Sequence, residues 1–177
     1  MRKIVANLFA SLDGVVESPE QWTGPYFTDD IGQLIGSEMA QADTMLLGRV
    51  TYQTFAASFA SQAGGMADQM NTIPKIVVST TLEAADWHNS TLVASPSELA
   101  NYRRRPGRNI AISGSAGLVR SLLGQGLLDE LRLLLFPVVV GSGQRLFDGV
   151  TERLPLTLLD SRTFSGGVVR LTYQPQR

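Results

Sequence analysis

Short runs of β-branched and aliphatic residues recur along this chain, separated by stretches with helical spacing, and that alternation leaves few folds open. Strands that alternate with helices are joined by crossovers and pair in parallel. The strand patterns fall at 4–9, 44–47, 75–79, 91–94, 109–113, 130–140, 154–159 and 168–173. Thr28 is placed to cap a helix whose apolar face is Ile31, Leu34, Ile35 and Met39. Further helices are expected over 50–58, from Ser95-Pro96-Ser97-Glu98 onward, and from Gly114-Ser115-Ala116-Gly117 through Leu123. The stretch 17–28, with Trp22, Gly24 and two prolines, reads as a long ordered loop, and Gly64-Gly65 as a loose connection. Ser165-Gly166-Gly167 is turn chemistry that joins the last two strands as an antiparallel hairpin. The predicted fold is a three-layer α/β domain spanning 1–177, with a mostly parallel central sheet and an antiparallel C-terminal hairpin.

Composition narrows the function classes. At 44% hydrophobic and 18% charged residues the chain is a globular one with enough apolar matter for one sizeable core. A net charge of −1 speaks against a nucleic-acid partner, and Arg103-Arg104-Arg105 reads as a solvated helix end. The absence of cysteine excludes disulfides, thiolate catalysis and cysteine-ligated metal, and a single histidine, His88, argues against a His-rich metal site. The opening Met1-Arg2-Lys3 and the short run after it do not form a signal peptide, and no apolar run reaches membrane length. No metal, nucleic-acid or membrane partner is therefore expected, and the cytoplasm is the default compartment.

Ligands of open α/β sheets bind at the carboxyl ends of strands, and three strand ends here carry small or polar residues. Gly48-Arg49-Val50-Thr51 runs from a strand into a helix, where glycine permits close approach and Arg49 could pair bidentately with a phosphate. An ordinary helix cap with an exposed arginine explains it about equally well. Ser79-Thr80-Thr81 supplies hydroxyls that suit either a phosphate or a loop cap, and Gly114-Ser115-Ala116-Gly117 suits either a pyrophosphate or a tight turn. Asp13 in the first turn, and Asp29 and Asp30 in the first turn of a helix, are reactive candidates that turn geometry and the helix dipole would favour anyway. Trp22 either anchors its loop or closes over a bound ring.

In their order, several segments resemble the dihydrofolate-reductase superfamily across nearly the whole chain: Ser11-Leu12-Asp13-Gly14, Gly48-Arg49-Val50-Thr51-Tyr52, Val77-Val78-Ser79-Thr80-Thr81-Leu82, Ile112-Ser113-Gly114-Ser115, Gly126-Leu127-Leu128-Asp129-Glu130-Leu131 and Pro137-Val138-Val139-Val140-Gly141-Ser142-Gly143. The first and fifth are similar to the reductase domain of riboflavin biosynthesis, the second to folate reductases and their small bacterial relatives. This resemblance implies an NADPH-dependent reductase acting on a small heterocycle, with 5-amino-6-(5-phosphoribosylamino)uracil reduction as the leading activity. A pterin-type reductase and a nucleotide-binding protein without turnover are the alternatives. It further implies that Arg49 and Thr51 meet the NADPH phosphates and that Ser79 and Thr80 hold the 2′-phosphate side. Gly48, Gly114, Ser115, Ala116 and Gly117 would approach the cofactor backbone, while Asn7, Leu12 and Asp13 flank the nicotinamide. Asp30 would be the acidic residue beside the substrate ring, and Trp22 and Arg145 would contact substrate, Arg145 as a phosphate-binding cation. The riboflavin reductase's Asp-Asn-Pro element is not visible in this chain.

The run Leu133-Leu134-Leu135-Phe136 is more apolar surface than one sheet face is expected to bury, which together with the resemblance predicts a homodimer. Light scattering should give twice the chain mass, and a monomer mass at working concentration would remove the prediction.

Overall fold

The computed structural model describes residues 1–176. Eight strands form one sheet: β1 (Ile4–Ser11), β2 (Ala42–Gly48), β3 (Lys75–Val78), β4 (Ser90–Val93), β5 (Asn109–Ser113), β6 (Glu130–Phe136), β7 (Leu156–Thr163) and β8 (Val169–Pro175). Their order across the sheet is β4-β3-β2-β5-β1-β6-β8-β7. The first six are parallel, and β8 and β7 run antiparallel at one edge. Five helices connect them: α1 (Asp29–Ala40), α2 (Arg49–Phe59), α3 (Gly65–Thr72), α4 (Leu99–Arg104) and α5 (Ala116–Gly124). The three-layer arrangement with a C-terminal hairpin is the one the alternation predicts.

The two faces of the sheet are filled differently. On one, Ile4, Ala6, Leu8, Leu46, Ile110, Ile112 and Leu131 pack in a single cluster with Leu118, Val119, Leu122 and Leu123 of α5 and Leu99 of α4. On the other, apolar packing is split. One cluster gathers Met45, Leu47, Val77, Tyr52, Met70 and Trp87 beneath α2 and α3, and another gathers Leu134, Phe136, Phe164 and Ile31 beneath α1.

Several boundaries differ from the sequence expectation for identifiable reasons. Gly64-Gly65, expected to be a loose connection, instead opens α3; the two residues take positive φ angles of 92° and 51°, so the chain turns sharply into a helix that buries Ala67 and Met70. Lys75 then fastens the far end of α3, donating to the Ile73 and His88 carbonyls at 2.9 and 3.0 Å. β6 stops at Phe136 rather than 140, because Pro137 has no N–H for the ladder. β7 runs to Thr163 rather than 159; it is an edge strand, so Asp160, Ser161 and Arg162 lack the alternation that marks a half-buried strand. Arg103 is not a solvated helix end: its Nη2 meets both Asp129 oxygens at 2.8 Å. In the run 133–136, Phe136 is fully buried and Leu134 nearly so, while Leu133 and Leu135 are half-buried. No helix among the described residues is long and apolar enough to cross a membrane.

Leu46 lies on central β2 and is fully buried, whereas Leu159 on β7 is 50% exposed. Leu46→Ala should lower unfolding free energy by about 2–5 kcal/mol, the range for a buried leucine truncated to a cavity. Leu159→Ala should stay within about 0.5 kcal/mol. Urea denaturation of both variants checks the contrast.

Candidate cofactor and substrate site

Gly48, Ser113 and Val78 end the neighbouring parallel strands β2, β5 and β3, so the residues that follow them lie along one edge of the sheet. Two helices begin there, α2 at Arg49 and α5 at Ala116. Their free N–H groups and aligned dipoles make that edge favourable for an anion. Ser115 ties the loops together: its Oγ accepts from the Gly48 N–H at 2.9 Å and donates to Thr51 Oγ1 at 2.7 Å. Ser115 adopts a left-handed conformation, φ 60°, which L-residues other than glycine and asparagine rarely take. The two hydroxyl bonds offset that strain. A side chain at Gly48 would put its Cβ 3.1 Å from Ser115 Oγ, and one at Gly114, where φ is +82°, would sit 3.3 Å from Thr51 Cγ2. Arg49 is exposed, and its Nη1 is held at 3.2 Å by Gln53 one turn along α2. Ser79 Oγ accepts from the N–H groups of Thr81 and Leu82, both at 3.1 Å, which folds this loop back on itself.

A cleft of about 980 Å³ opens on the face where apolar packing is split. Its floor is made of small and polar residues from the central strands, Asn7 of β1 beside Ala111 and Ser113 of β5. Asn7 and Ser113 are register partners. Asn7 Oδ1 is shielded from solvent and faces no donor. One wall comes from α1 and the loop before it, with Phe27, Ile35 and Met39, and the other from α2 and α3, with Phe55, Phe59, Met66 and Met70. Glu38 of α1 also lines the cleft, with Arg132 of β6 and Arg170 of β8. Glu38 Oε1 lies 2.6 Å from Arg170 Nη2, with both side chains largely buried. Burial acts to raise the neighbouring Glu130 carboxyl, but hydrogen bonds from Lys3 and Arg132 outweigh it and leave the group below its ordinary value.

The structure thus brings Gly48, Arg49, Thr51, Gly114, Ser115, Ala116 and Gly117 to one place, with Ser79 and Thr80 following the next strand, β3, and Asn7 on the cleft floor. It places the other four candidates elsewhere. Asp30 does not line the cleft; it accepts from the Ser165 hydroxyl at 2.6 Å, the Ser165 N–H at 3.1 Å and the Thr28 hydroxyl, pinning the start of α1 to the turn of the C-terminal hairpin. Asp13 accepts from the Ser11 hydroxyl at 2.6 Å and the N–H groups of Val140 and Gly141 at 3.0 and 2.9 Å, so it organises two loops. Arg145 Nε donates to the Asp13 carbonyl at 3.0 Å and Nη2 to the Gly141 carbonyl at 3.1 Å, so its guanidinium is occupied by the same loops. Trp22 is a loop anchor, its Nε1 donating to the Glu17 carbonyl at 3.0 Å and its ring edge-on to Phe136. Phe27, 46% exposed, lines the cleft on this side together with Phe9, its edge-on ring neighbour.

Sequence reasoning missed Glu38, although a signal existed. It lies seven residues after Ile31 and three after Ile35, a charged residue set into the apolar stripe of a helix. Arg132 and Arg170 gave no comparable signal, because strand alternation alone does not say which face holds an ion pair. Among the described residues no cluster suits a metal ion.

The Ser165 and Thr28 hydroxyls hold the Asp30 carboxyl well below the usual carboxylate range. A depressed carboxyl stabilises the fold above the ordinary aspartate value of 3.8 and loses that contribution as pH falls through its own folded value. Asp30→Asn should therefore lower the thermal midpoint at neutral pH, with the gap to wild type closing in acid. Melting curves across a pH series check this placement.

Known proteins can be set beside this geometry. The family described as RibD C-terminal domain matches residues 2–170. The uncharacterized protein YyaP of Bacillus subtilis (strain 168) is 29% identical over 97% of this chain and 94% of its own. A Shewanella sp. PV-4 protein whose name assigns it provisionally to riboflavin biosynthesis superposes with a TM-score of 0.80 at 18% identity, covering 99% of both chains. Dihydrofolate reductase from Enterococcus faecalis, solved with NADP(H), superposes with a TM-score of 0.67 at 13% identity, over 99% of this chain and 97% of that one. The fold is therefore dihydrofolate-reductase-like, and the chain belongs to the RibD C-terminal domain family.

Proposed function

We propose that the protein is an NADPH-dependent oxidoreductase acting on a small heterocyclic compound. The observation that carries this reading is the convergence of the α2 and α5 N-termini, with exposed Arg49 at the start of α2, beside an open cleft floored by Asn7 and Ser113. Family membership supports the same reading.

The loops suit a dinucleotide on their own geometry. Glycines stand at the two positions where a Cβ would crowd Ser115 and Thr51, so the backbone stays accessible between the loops. In this reading the N–H groups of Ala116 and Gly117 and the Thr51 hydroxyl face the phosphates. Arg49 presents a planar fork to the 2′-phosphate, with Ser79 and Thr80 on the adenosine side. When bound, the cofactor supplies the hydride. The protein's part is positioning: Asn7 and Ser113 orient the reacting rings, and the aromatic and methionine walls exclude water. Neither Asp30 nor Asp13 is free for proton transfer, since each is saturated by hydroxyl and backbone donors. Reduction of a riboflavin-precursor pyrimidine is the leading activity by family, and the cytoplasm is the compartment proposed. A pterin-type reading draws on a different observation, the carboxylate of Glu38 inside the cleft.

Titration with NADPH should show saturable binding, and NADPH oxidation should accelerate with at least one member of a panel of aminopyrimidines and pterins. Arg49→Ala should weaken NADPH binding by about 1.5–3 kcal/mol, the scale of a charge-assisted hydrogen bond, and NADH binding much less. Equal losses for both cofactors would show that Arg49 does not read the 2′-phosphate. Absence of NADPH binding would overturn the reading.

A further inference from the structure

The hydrogen bonds around Ser115 run in one direction only. The Gly48 N–H can donate but not accept, and it reaches Ser115 Oγ at 2.9 Å. Ser115 in turn donates onward, to Thr51 Oγ1 at 2.7 Å. Thr51 is thus an acceptor within the chain, while its own hydroxyl proton meets no acceptor among the described residues. The other two hydroxyls of α2 behave differently. Thr54 donates to the Val50 carbonyl and Ser58 to the Thr54 carbonyl, each at 3.0 Å and four residues back, the ordinary use of a hydroxyl on a helix. Thr51 stands in the first turn, too near the start of α2 to have a helical carbonyl behind it.

The residue that sets this direction is held in a conformation that serine avoids. Ser115 has φ 60° and follows Gly114 at φ 82°. Glycine would take this second left-handed position without strain, so the backbone alone calls for glycine there. What glycine lacks is the hydroxyl. We propose that Ser115 is a positioning residue for the cofactor: it commits the Thr51 hydroxyl to donating and presents that donor to a pyrophosphate oxygen of the dinucleotide. The assignment rests on the NADPH reading of this edge. A hydroxyl that already accepts one hydrogen bond is polarised into a stronger donor for the next. A phosphate oxygen, which only accepts, is its chemical counterpart. Ser115 itself needs no contact with the cofactor, so its effect on binding travels through Thr51.

Calorimetric titrations with NADPH, beside melting curves, test this on the wild type, Ser115→Ala, Ser115→Gly, Thr51→Val and the variant carrying both Ser115→Ala and Thr51→Val. Ser115→Ala keeps the left-handed strain and loses both hydrogen bonds, whereas Ser115→Gly loses the bonds and sheds the strain. Ser115→Ala should therefore melt below Ser115→Gly. Both should nevertheless weaken NADPH binding alike, by about three- to tenfold, the scale of one hydrogen bond. In the Thr51→Val background, Ser115→Ala should change NADPH affinity by less than about twofold, because residues acting through one another are not additive. Affinity that follows the melting order, reduced in Ser115→Ala and near wild type in Ser115→Gly, overturns the proposal and leaves Ser115 a purely structural residue. Independent, additive losses in the double variant overturn it as well. Wild type that binds no NADPH removes the cofactor reading and the aim of Thr51 with it. Wild type that binds NADPH no better than the Ser115 variants removes the positioning role alone, so the two failures are distinct.

Discussion

Parallel pairing of β1 with β5 on one side and β6 on the other is the constraint from which the rest of this molecule follows. Parallel neighbours cannot be joined by a tight turn, so each join needs a crossover, and crossovers lay helices over the sheet. Parallel pairing also puts the carboxyl ends of β1, β2, β3 and β5 on one edge, where α2 and α5 begin. The cleft arises because helices cover only the flanks of one face: α2 and α3 sit over β2 and β3, α1 over β6. Over β1 and β5 the sheet presents Asn7, Ala111 and Ser113, which are too small or too polar to draw a helix down onto them.

The antiparallel hairpin contributes in a less direct way. α1 forms one wall of the cleft, and both its ends are fastened to β7–β8. Asp30 near its start is held by Ser165 in the hairpin turn, and Glu38 near its end is held by Arg170 of β8. A wall clamped at two points keeps its distance from the floor, so the hairpin sets the cleft's width although little of it touches the space inside.

The strand–helix order, the hairpin and the glycine-bearing strand ends were legible in the sequence because each rests on local chemistry: period, caps and turns. Gly48, Thr51, Gly114 and Ser115 were legible as separate loops, and their joining through the Ser115 hydroxyl needed the topology. α3 was hidden by Gly64-Gly65, which read as a break while serving as a sharp entry. Asp13 and Asp30 were legible as turn and helix first-turn acids, and their hydrogen bonds follow that local reading. Glu38, Arg132 and Arg170 come from three separate elements, so their pairing depends on contacts far apart in the chain.

The divided packing on the cleft side has a consequence for how such a chain can change over generations. The cluster beneath α2 and α3 and the cluster beneath α1 share no buried residue, whereas the opposite face is one continuous body. Energetic coupling between substitutions requires shared partners or direct contact, and Met39 is the one α1 side chain packed against the cluster beneath α2 and α3. Replacements in one wall that do not touch Met39 therefore leave the stability cost of replacements in the other nearly unchanged. The Met70 and Phe59 side can thus be retailored to ligands of different outline without retuning the clamp on α1. The fold separates the part that must be kept from the part that is free to drift.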